Sequence, residues 1–264
     1  MPTAATLAET LAPLRADQRR SAVLLDIDGT LAPIVPRAQD AAVPAATRSL
    51  LVALAGRYRM VACISGRPAA VARSIVGIDS ISYVGNHGCE RLDPGSDEVE
   101  LDSEIAPWTL GIRDFARTEE TAELAALGIR GEDKGPIAGF HWRGASDEEA
   151  ALAAVKGIEG RALAADFHVH WGRKVLEVRP PLQIDKGRGV AGLLTPPAGV
   201  AHGLYMGDDV TDIDAFDGLR AALGDGAVCV GVRSEETPDE LARAADVMVD
   251  GELGVREVLQ ALLD

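Results

Sequence analysis

Ser21-Ala22-Val23-Leu24-Leu25-Asp26-Ile27-Asp28-Gly29-Thr30-Leu31 decides how the rest of the chain is read. An apolar run without charge leads into two aspartates spaced by one isoleucine, and a glycine then turns the chain. A short continuous apolar run fits a strand buried on both faces, as parallel sheets require. The predicted strand covers 21–27 and carries Asp26 and Asp28 at its carboxyl end, the edge where open α/β sheets bind ligands.

The flanking sequence repeats this pattern on both sides. Pro44 opens a predicted helix with Leu50, Leu51 and Leu54 on one face and Gly56 at its close. A second strand, 60–64, breaks at Ser65-Gly66-Arg67. Pro68 starts a helix with Val71 and Ile75 inward and Gly77 at its end, and a third strand, 81–84, runs into Gly85-Asn86-His87-Gly88. Further on, a helix over 186–194 precedes a strand over 203–206 that ends in Gly207-Asp208-Asp209. Helices over 212–223 and 238–245 alternate with strands over 228–232 and 247–249. A last helix, 251–262, offers Leu253, Val258 and Leu262 for packing. Leu7, Leu11 and Leu14 place an amphipathic helix within residues 3–20. Strands alternating with helices on short loops predict an α/β fold, a doubly wound parallel sheet covered on both faces.

The middle of the chain departs from that pattern. Two helical stretches, 108–127 and 147–163, mix with strand-like stretches at 137–143, 167–171 and 174–178. The last two meet in a hairpin at Gly172-Arg173. The grouping predicts an inserted α+β domain over 105–182 within a core formed by 1–104 and 183–264. The acidic loop 93–104 and Pro180-Pro181 would act as hinges.

The chain has 264 residues, of which 47% are hydrophobic and 25% charged, so it can bury a full core without staples. Its net charge of −15 argues against a nucleic-acid or membrane-surface partner. Cys63, Cys89 and Cys229 are odd in number and far apart, two of them in apolar runs, which predicts buried thiols in a reducing cytosol. No signal peptide or membrane-spanning run is read in the sequence. The oligomeric state is left open, and a monomer fits.

Asp26 and Asp28, Ser65-Gly66-Arg67, Lys186 and the Asp208/Asp209/Asp212 group all fall at strand ends or the helix start after the insert. Carboxylates gathered from separate strands repel unless a hard divalent cation neutralises them, and Mg²⁺ favours one or two carboxylates plus a phosphate oxygen. Lys186 adds a second positive charge and Ser65 a hydroxyl donor, which together make a site for an anion held against a metal. Asp26 and Asp28 can divide the labour of covalent catalysis, one attacking phosphorus and the other moving the proton. Ser65 is equally placed to cap the helix at Pro68, and His87 in its turn suits a backbone-bonding role as well as a ligand contact.

These motifs, in order, resemble those of the haloacid dehalogenase superfamily of phosphatases. The finer resemblance is to trehalose-6-phosphate phosphatases. It rests on Asp28-Gly29-Thr30-Leu31 followed by Ala32-Pro33-Ile34-Val35, on Gly85-Asn86-His87-Gly88 with Glu90, and on Glu132-Asp133-Lys134-Gly135 leading to His141-Trp142-Arg143. Leu176-Glu177-Val178-Arg179-Pro180 and Gly207-Asp208-Asp209-Val210-Thr211-Asp212 complete it. The resemblance spans residues 23 to 216 and departs at Ile213, where the family usually has Glu.

The resemblance implies Asp26 as nucleophile and Asp28 as general acid and base. Mg²⁺ would be held by Asp26, Asp28, Asp208 and Asp209, with Thr30 and Asp212 in support. Ser65, Gly66, Arg67 and Lys186 would grip the phosphate. The insert would be a cap that meets the sugar through His87 of the core and its own Glu132, Lys134, His141, Arg143, Lys174 and Glu177. The residues alone leave this last group as ordinary surface ion-pair partners. The implied reaction is hydrolysis of trehalose 6-phosphate through an aspartyl-phosphate. Another sugar phosphate of sucrose or glucosyl-glycerate type, a phosphomutase, or a sugar-phosphate sensor are the alternatives.

Overall fold

The computed structural model describes residues 4–35, 37–195, 199–234 and 237–264. The chain divides into two compact units, Met1–Glu100 with Asp185–Asp264, and Leu101–Ile184. In chain order it forms α1 (Ala4–Ala16), β1 (Ser21–Leu25), α2 (Ala45–Ala55), β2 (Met60–Ile64), α3 (Ala69–Val76), β3 (Ser82–Gly85), β4 (Glu90–Leu92) and β5 (Val99–Leu101). The second unit follows with α4 (Thr109–Glu119), α5 (Ala122–Ala126), β6 (Arg130–Asp133), β7 (Ala138–His141), α6 (Glu148–Ala164), β8 (His168–Gly172) and β9 (Val175–Arg179). The first unit then resumes with α7 (Lys186–Leu194), β10 (His202–Gly207), α8 (Thr211–Leu223), β11 (Ala227–Arg233), α9 (Asp239–Ala244), β12 (Val247–Asp250) and α10 (Gly251–Ala261).

The first unit holds an eight-stranded sheet in the order β12-β11-β10-β1-β2-β3-β4-β5. From β12 to β3 every pairing is parallel, and β4 joins β3 antiparallel. Strand order runs outward from β1 in one direction and from β10 in the other. Connections therefore reverse between these two strands, which makes their carboxyl ends the switch point of the sheet. All five residues of β1 are buried, as its uncharged run requires. One face packs α1, α2, α3 and α10, the other α7, α8 and α9.

Several local expectations are corrected. The first strand stops at Leu25, because the Ile27 carbonyl accepts from the Leu31 and Ala32 N–H groups and curls the chain into a turn. Helix α3 faces the core with Ala69, Ala72 and Val76, while Val71 is 41% exposed. The cause is a close approach: a Cβ at Gly85 of β3 would lie 2.2 Å from the Ala69 nitrogen, so only small side chains fit between helix and sheet. Leu253 is exposed, since the core stripe of α10 runs through Val255, Val258, Leu259 and Leu262. The stretch 93–104 contains β5 and is not loop throughout. Helix α1 ends at Ala16, and residue 3 of the predicted helix lies outside the described residues.

The second unit is an antiparallel sheet in the order β6-β7-β9-β8. Phe140, Leu176 and Val178 on one face pack with Ile112 of α4 and with Ala151, Val155, Ile158 and Ala162 of α6. The single helix predicted over 108–127 is broken, because the Thr121 side chain accepts the Leu124 N–H and starts α5 afresh. The hairpin turn lies at Arg173-Lys174, one residue later than predicted, with Lys174 at φ +60°. Among the described residues no helix is long and apolar enough to cross a membrane. All three cysteines are buried free thiols.

Candidate active site

β1 and β10 end side by side, and their ends bring together Asp26, Asp208 and Asp212, each offering one oxygen within 4.8 Å of the others. All three are buried. Lys186, the first residue of α7, lies between two of them, its Nζ donating to Asp26 Oδ1 and Asp212 Oδ1 at 2.7 Å each. Burial alone would strip the proton from this lysine, but Asp212 and Asp26 outweigh it and hold the ammonium charged.

Asp212 is fully engaged. Its Oδ1 also accepts the Tyr205 hydroxyl at 2.7 Å, and its Oδ2 accepts the Asp208 and Asp209 backbone N–H groups at 2.9 and 3.0 Å. Four donors fill a carboxylate's acceptor capacity. Asp212 therefore fixes the lysine and the turn after β10, and leaves Asp26 and Asp208 as the residues that could hold a cation. One lysine against three buried carboxylates leaves negative charge uncompensated. Burial, followed by the charge on Asp212, pushes the Asp208 carboxyl up to about 6. Burial raises Asp26 as well, against the pull of Lys186. This donor set fits a hard divalent cation, whose charge would reverse both shifts.

Thr30 supports Asp208, donating its hydroxyl to Oδ1 at 3.3 Å. Gly29 makes room for the same carboxylate. Its φ is +85°, and a Cβ there would stand 2.1 Å from Asp208 Oδ2. Asp209 is apart from the cluster: it is exposed, and its Oδ1 accepts the Val210 N–H at 2.7 Å. The Asp28 carboxylate is also outside it, clamped by Arg67 through two bonds of 2.7 Å. Arg67 thus holds the second aspartate. Ser65 is buried and accepts the Arg67 N–H at 3.2 Å, which leaves its O–H as a donor.

The loop after β3 backs this turn. Its Asn86 N–H donates to the Arg67 carbonyl and its His87 N–H to the Ser65 carbonyl. A Cβ at Gly66 would lie 2.7 Å from the His87 ring, so glycine lets the imidazole lie flush on the turn. Buried Glu90 ties the pieces together, accepting from the Asn86 amide and from the Ala69 N–H that opens α3. Burial raises its pKa.

In the second unit, Glu132, Lys134, His141 and Glu177 come together on one face of the sheet. His141 Nε2 lies 2.6 Å from Glu132 Oε2, and Lys134 donates to Glu177 Oε1 at 2.8 Å. The other Glu177 oxygen accepts from Arg179. Arg143 and Lys174 do not join them. Arg143 reaches the Arg173 carbonyl, and Lys174 pairs with Glu148 of α6, on the helix layer.

The trehalose-phosphatase family model matches residues 24–246, which includes every one of these positions. The chain belongs to the trehalose-phosphatase family. A trehalose-phosphate phosphatase of Mycolicibacterium paratuberculosis is 34% identical over 259 residues, 93% of this chain and 63% of that protein. A Mycobacterium tuberculosis protein described as an uncharacterized glycosyl hydrolase is 36% identical over 210 residues, 76% of this chain and 15% of that protein. The chain thus spans less than two thirds of the length of these relatives. Among solved structures, a trehalose-6-phosphate phosphatase of Aspergillus fumigatus is 27% identical with a TM-score of 0.66, covering 97% of each chain.

In the first unit Tyr205, which bonds Asp212, lies outside the motifs; in the second, Arg179 lies inside the Leu176–Pro180 motif, but its pairing with Glu177 is not read from it. Alternation was the available signal for Arg179, which follows Glu177 by two on a strand and so shares its face. Tyr205 gives no such sign, because its ring is core and only its hydroxyl reaches the cluster, at Asp212.

The Glu177 cluster carries a pH prediction. Burial works to raise its carboxyl, but Lys134 and Arg179 overcome this and hold it near 2, below its ordinary 4.5. A depressed carboxylate contributes stability that is present above its ordinary pKa and lost as pH falls through the folded one. Acidification from about pH 5 to about pH 2 should therefore cost on the order of 3 kcal/mol through this group. Urea unfolding should give a shallower acid limb for Glu177→Gln than for wild type. Identical limbs would refute the assignment.

Proposed function

We propose that the protein is a phosphoric monoester hydrolase that converts trehalose 6-phosphate to trehalose and phosphate. The observation that carries this reading is the pair Asp26 and Lys186, buried and hydrogen-bonded at the switch point of the sheet, in a chain of the trehalose-phosphatase family. Covalent catalysis needs one carboxylate oriented on phosphorus and a second group to move the proton.

In the first step an Asp26 oxygen attacks phosphorus, the bond from phosphorus to the sugar oxygen breaks, and Asp28 delivers its proton to that leaving oxygen. In the second, Asp28 takes a proton from water as the water oxygen attacks phosphorus. The aspartyl-phosphate bond breaks, and Asp26 is regenerated with inorganic phosphate. Lys186 sets the Asp26 carboxylate in place and neutralises charge on the phosphoryl oxygens. Ser65 donates its O–H to one of them. Arg67 must release Asp28 for the proton transfer, and the phosphate is the competing anion for its guanidinium. A divalent ion, Mg²⁺ in this reading, would be held by Asp26 and Asp208 and would supply electrostatic stabilisation of the developing charge.

Phosphate release across a panel of sugar phosphates, with Mg²⁺ and with EDTA, tests the reading. The expected result is a preference for trehalose 6-phosphate that EDTA abolishes. A different preferred sugar phosphate would refute the substrate. Full activity in EDTA would refute the role given to the cation.

A further inference from the structure

Three consecutive residues after β3 are left-handed, Asn86 at φ +48°, His87 at φ +56° and Gly88 at φ +102°. Glycine takes this conformation freely. Asparagine and histidine take it more readily than most side chains, but still at a cost. Such strain persists only where the surroundings over-determine it, and it gathers at functional sites. This loop lies between the two elements assigned to the phosphate. On one side the Asn86 and His87 N–H groups donate to the Arg67 and Ser65 carbonyls at 2.9 and 3.1 Å. On the other side Gly88 packs on the first turn of α7. A Cβ there would lie 2.9 Å from the Asp185 carbonyl oxygen and 2.8 Å from the Gly189 nitrogen, which bracket Lys186 in the chain.

One buried side chain pins the loop. Glu90 accepts the Asn86 amide on Oε1 and the Ala69 N–H on Oε2, the latter at 2.9 Å. Pro68 gives α3 no side-chain cap, so Glu90 caps that helix from outside it. The strand end and the helix start meet at the same point, where a Cβ on Gly85 would stand 2.2 Å from the Ala69 nitrogen. Burial raises the Glu90 carboxyl against the pull of its two donors. An apolar side chain would fill this space without that penalty. What the carboxylate adds is direction. It ties the residue that follows the Ser65-Gly66-Arg67 turn to the strained residue that supports the turn from below.

We propose that Glu90 is a positioning residue for phosphate binding. By holding Asn86 left-handed against the start of α3, it fixes the Ser65 and Arg67 carbonyls and with them the Ser65 hydroxyl and the Arg67 guanidinium. The proposal rests on the reading of the protein as a phosphatase.

The test compares Glu90→Ala, Glu90→Gln, Asn86→Gly and the Glu90→Ala, Asn86→Gly double variant with wild type, using the full chain with Mg²⁺. Calorimetry gives the affinity for inorganic phosphate, and KM is measured on trehalose 6-phosphate and para-nitrophenyl phosphate below the melting temperature of each variant. Glu90→Ala should weaken phosphate binding about tenfold and raise both KM values by the same factor, since a displaced turn loses its hold on the phosphoryl group whatever the leaving group. Adding Asn86→Gly should recover part of that loss, because glycine holds the left-handed conformation without a pin. Losses that multiply in the double variant would overturn the route through Asn86. A lower melting temperature with wild-type phosphate affinity would make Glu90 a helix cap and nothing more, and would overturn the proposal. If Glu90→Ala does not fold, Glu90→Gln decides, since it keeps the shape and one acceptor. Its phosphate affinity should be about threefold weaker, and wild-type affinity would overturn the proposal. Phosphate binding requires no turnover. If wild type binds phosphate but hydrolyses neither substrate, the phosphatase reading falls while the Glu90 comparison still decides. If wild type does not bind phosphate, both fall.

Discussion

Asp26→Asn is expected to lower kcat/KM for the sugar phosphate on the order of 10⁴-fold or more, because an amide cannot form the aspartyl-phosphate. The loss should fall in kcat and be equal for aryl and sugar phosphates, since in the proposed reaction the residue acts on phosphorus and not on the sugar. Stability should not fall with it. The Asp26 carboxyl is buried among Asp212 and Asp208, which raises its pKa, so its charge weakens the fold at neutral pH. Removing that charge should leave the melting temperature unchanged or higher, the usual trade of stability against function at active sites. Retained turnover would remove Asp26 from the role of nucleophile. A large drop in melting temperature would show the charge to be structural instead.

Lys186→Met should have the opposite profile, losing activity and stability together. The substitution keeps the length of the side chain but leaves Asp26, Asp208 and Asp212 buried without their shared cation. Breaking a buried ion pair by removing one partner typically costs about 3–5 kcal/mol. The carboxyls can take up protons, so the loss should be greatest above the pH where they ionise and smaller in acid. Added Mg²⁺ should return part of the stability, because a second positive charge near Asp26 and Asp208 relieves the same repulsion. Urea unfolding with and without Mg²⁺ measures both effects. Wild-type stability in the variant would mean the network does not hold this end of the sheet.

The centre of the fold was legible because burial constrains it. β1, β2 and β10 are uncharged runs ending in polar groups, and each is a strand within two residues of its predicted bounds. Edges were not legible. β6 is Arg130-Gly131-Glu132-Asp133, exposed at every position, and charge on an edge strand is what prevents pairing with other chains. Composition therefore reads it as loop. β5 at the sheet's other edge hides in the acidic stretch for the same reason. Motif order placed Asp26, Lys186 and Asp208 correctly at one edge, but not the direction of each side chain. Asp209 follows Asp208 by one residue at the strand end and so points to solvent, and Lys174 sits in a left-handed turn that aims it at Glu148. Nor could the sequence reveal that Arg67 grips Asp28, a contact made across 39 residues by two loops at neighbouring strand ends.

The central claim is that phosphate passes through Asp26. Asp28→Asn should still accept the phosphoryl group from an activated aryl phosphate, which needs little help with its leaving oxygen, but should release it slowly for want of a base. Acid-quenched protein from that reaction, digested and mapped by mass spectrometry, gives the direct answer. A phosphoryl group on the peptide containing Asp26, absent in the Asp26→Asn, Asp28→Asn double variant, is the predicted result. A phosphoryl group on any other residue, or steady turnover with none trapped at the earliest time, would contradict the account.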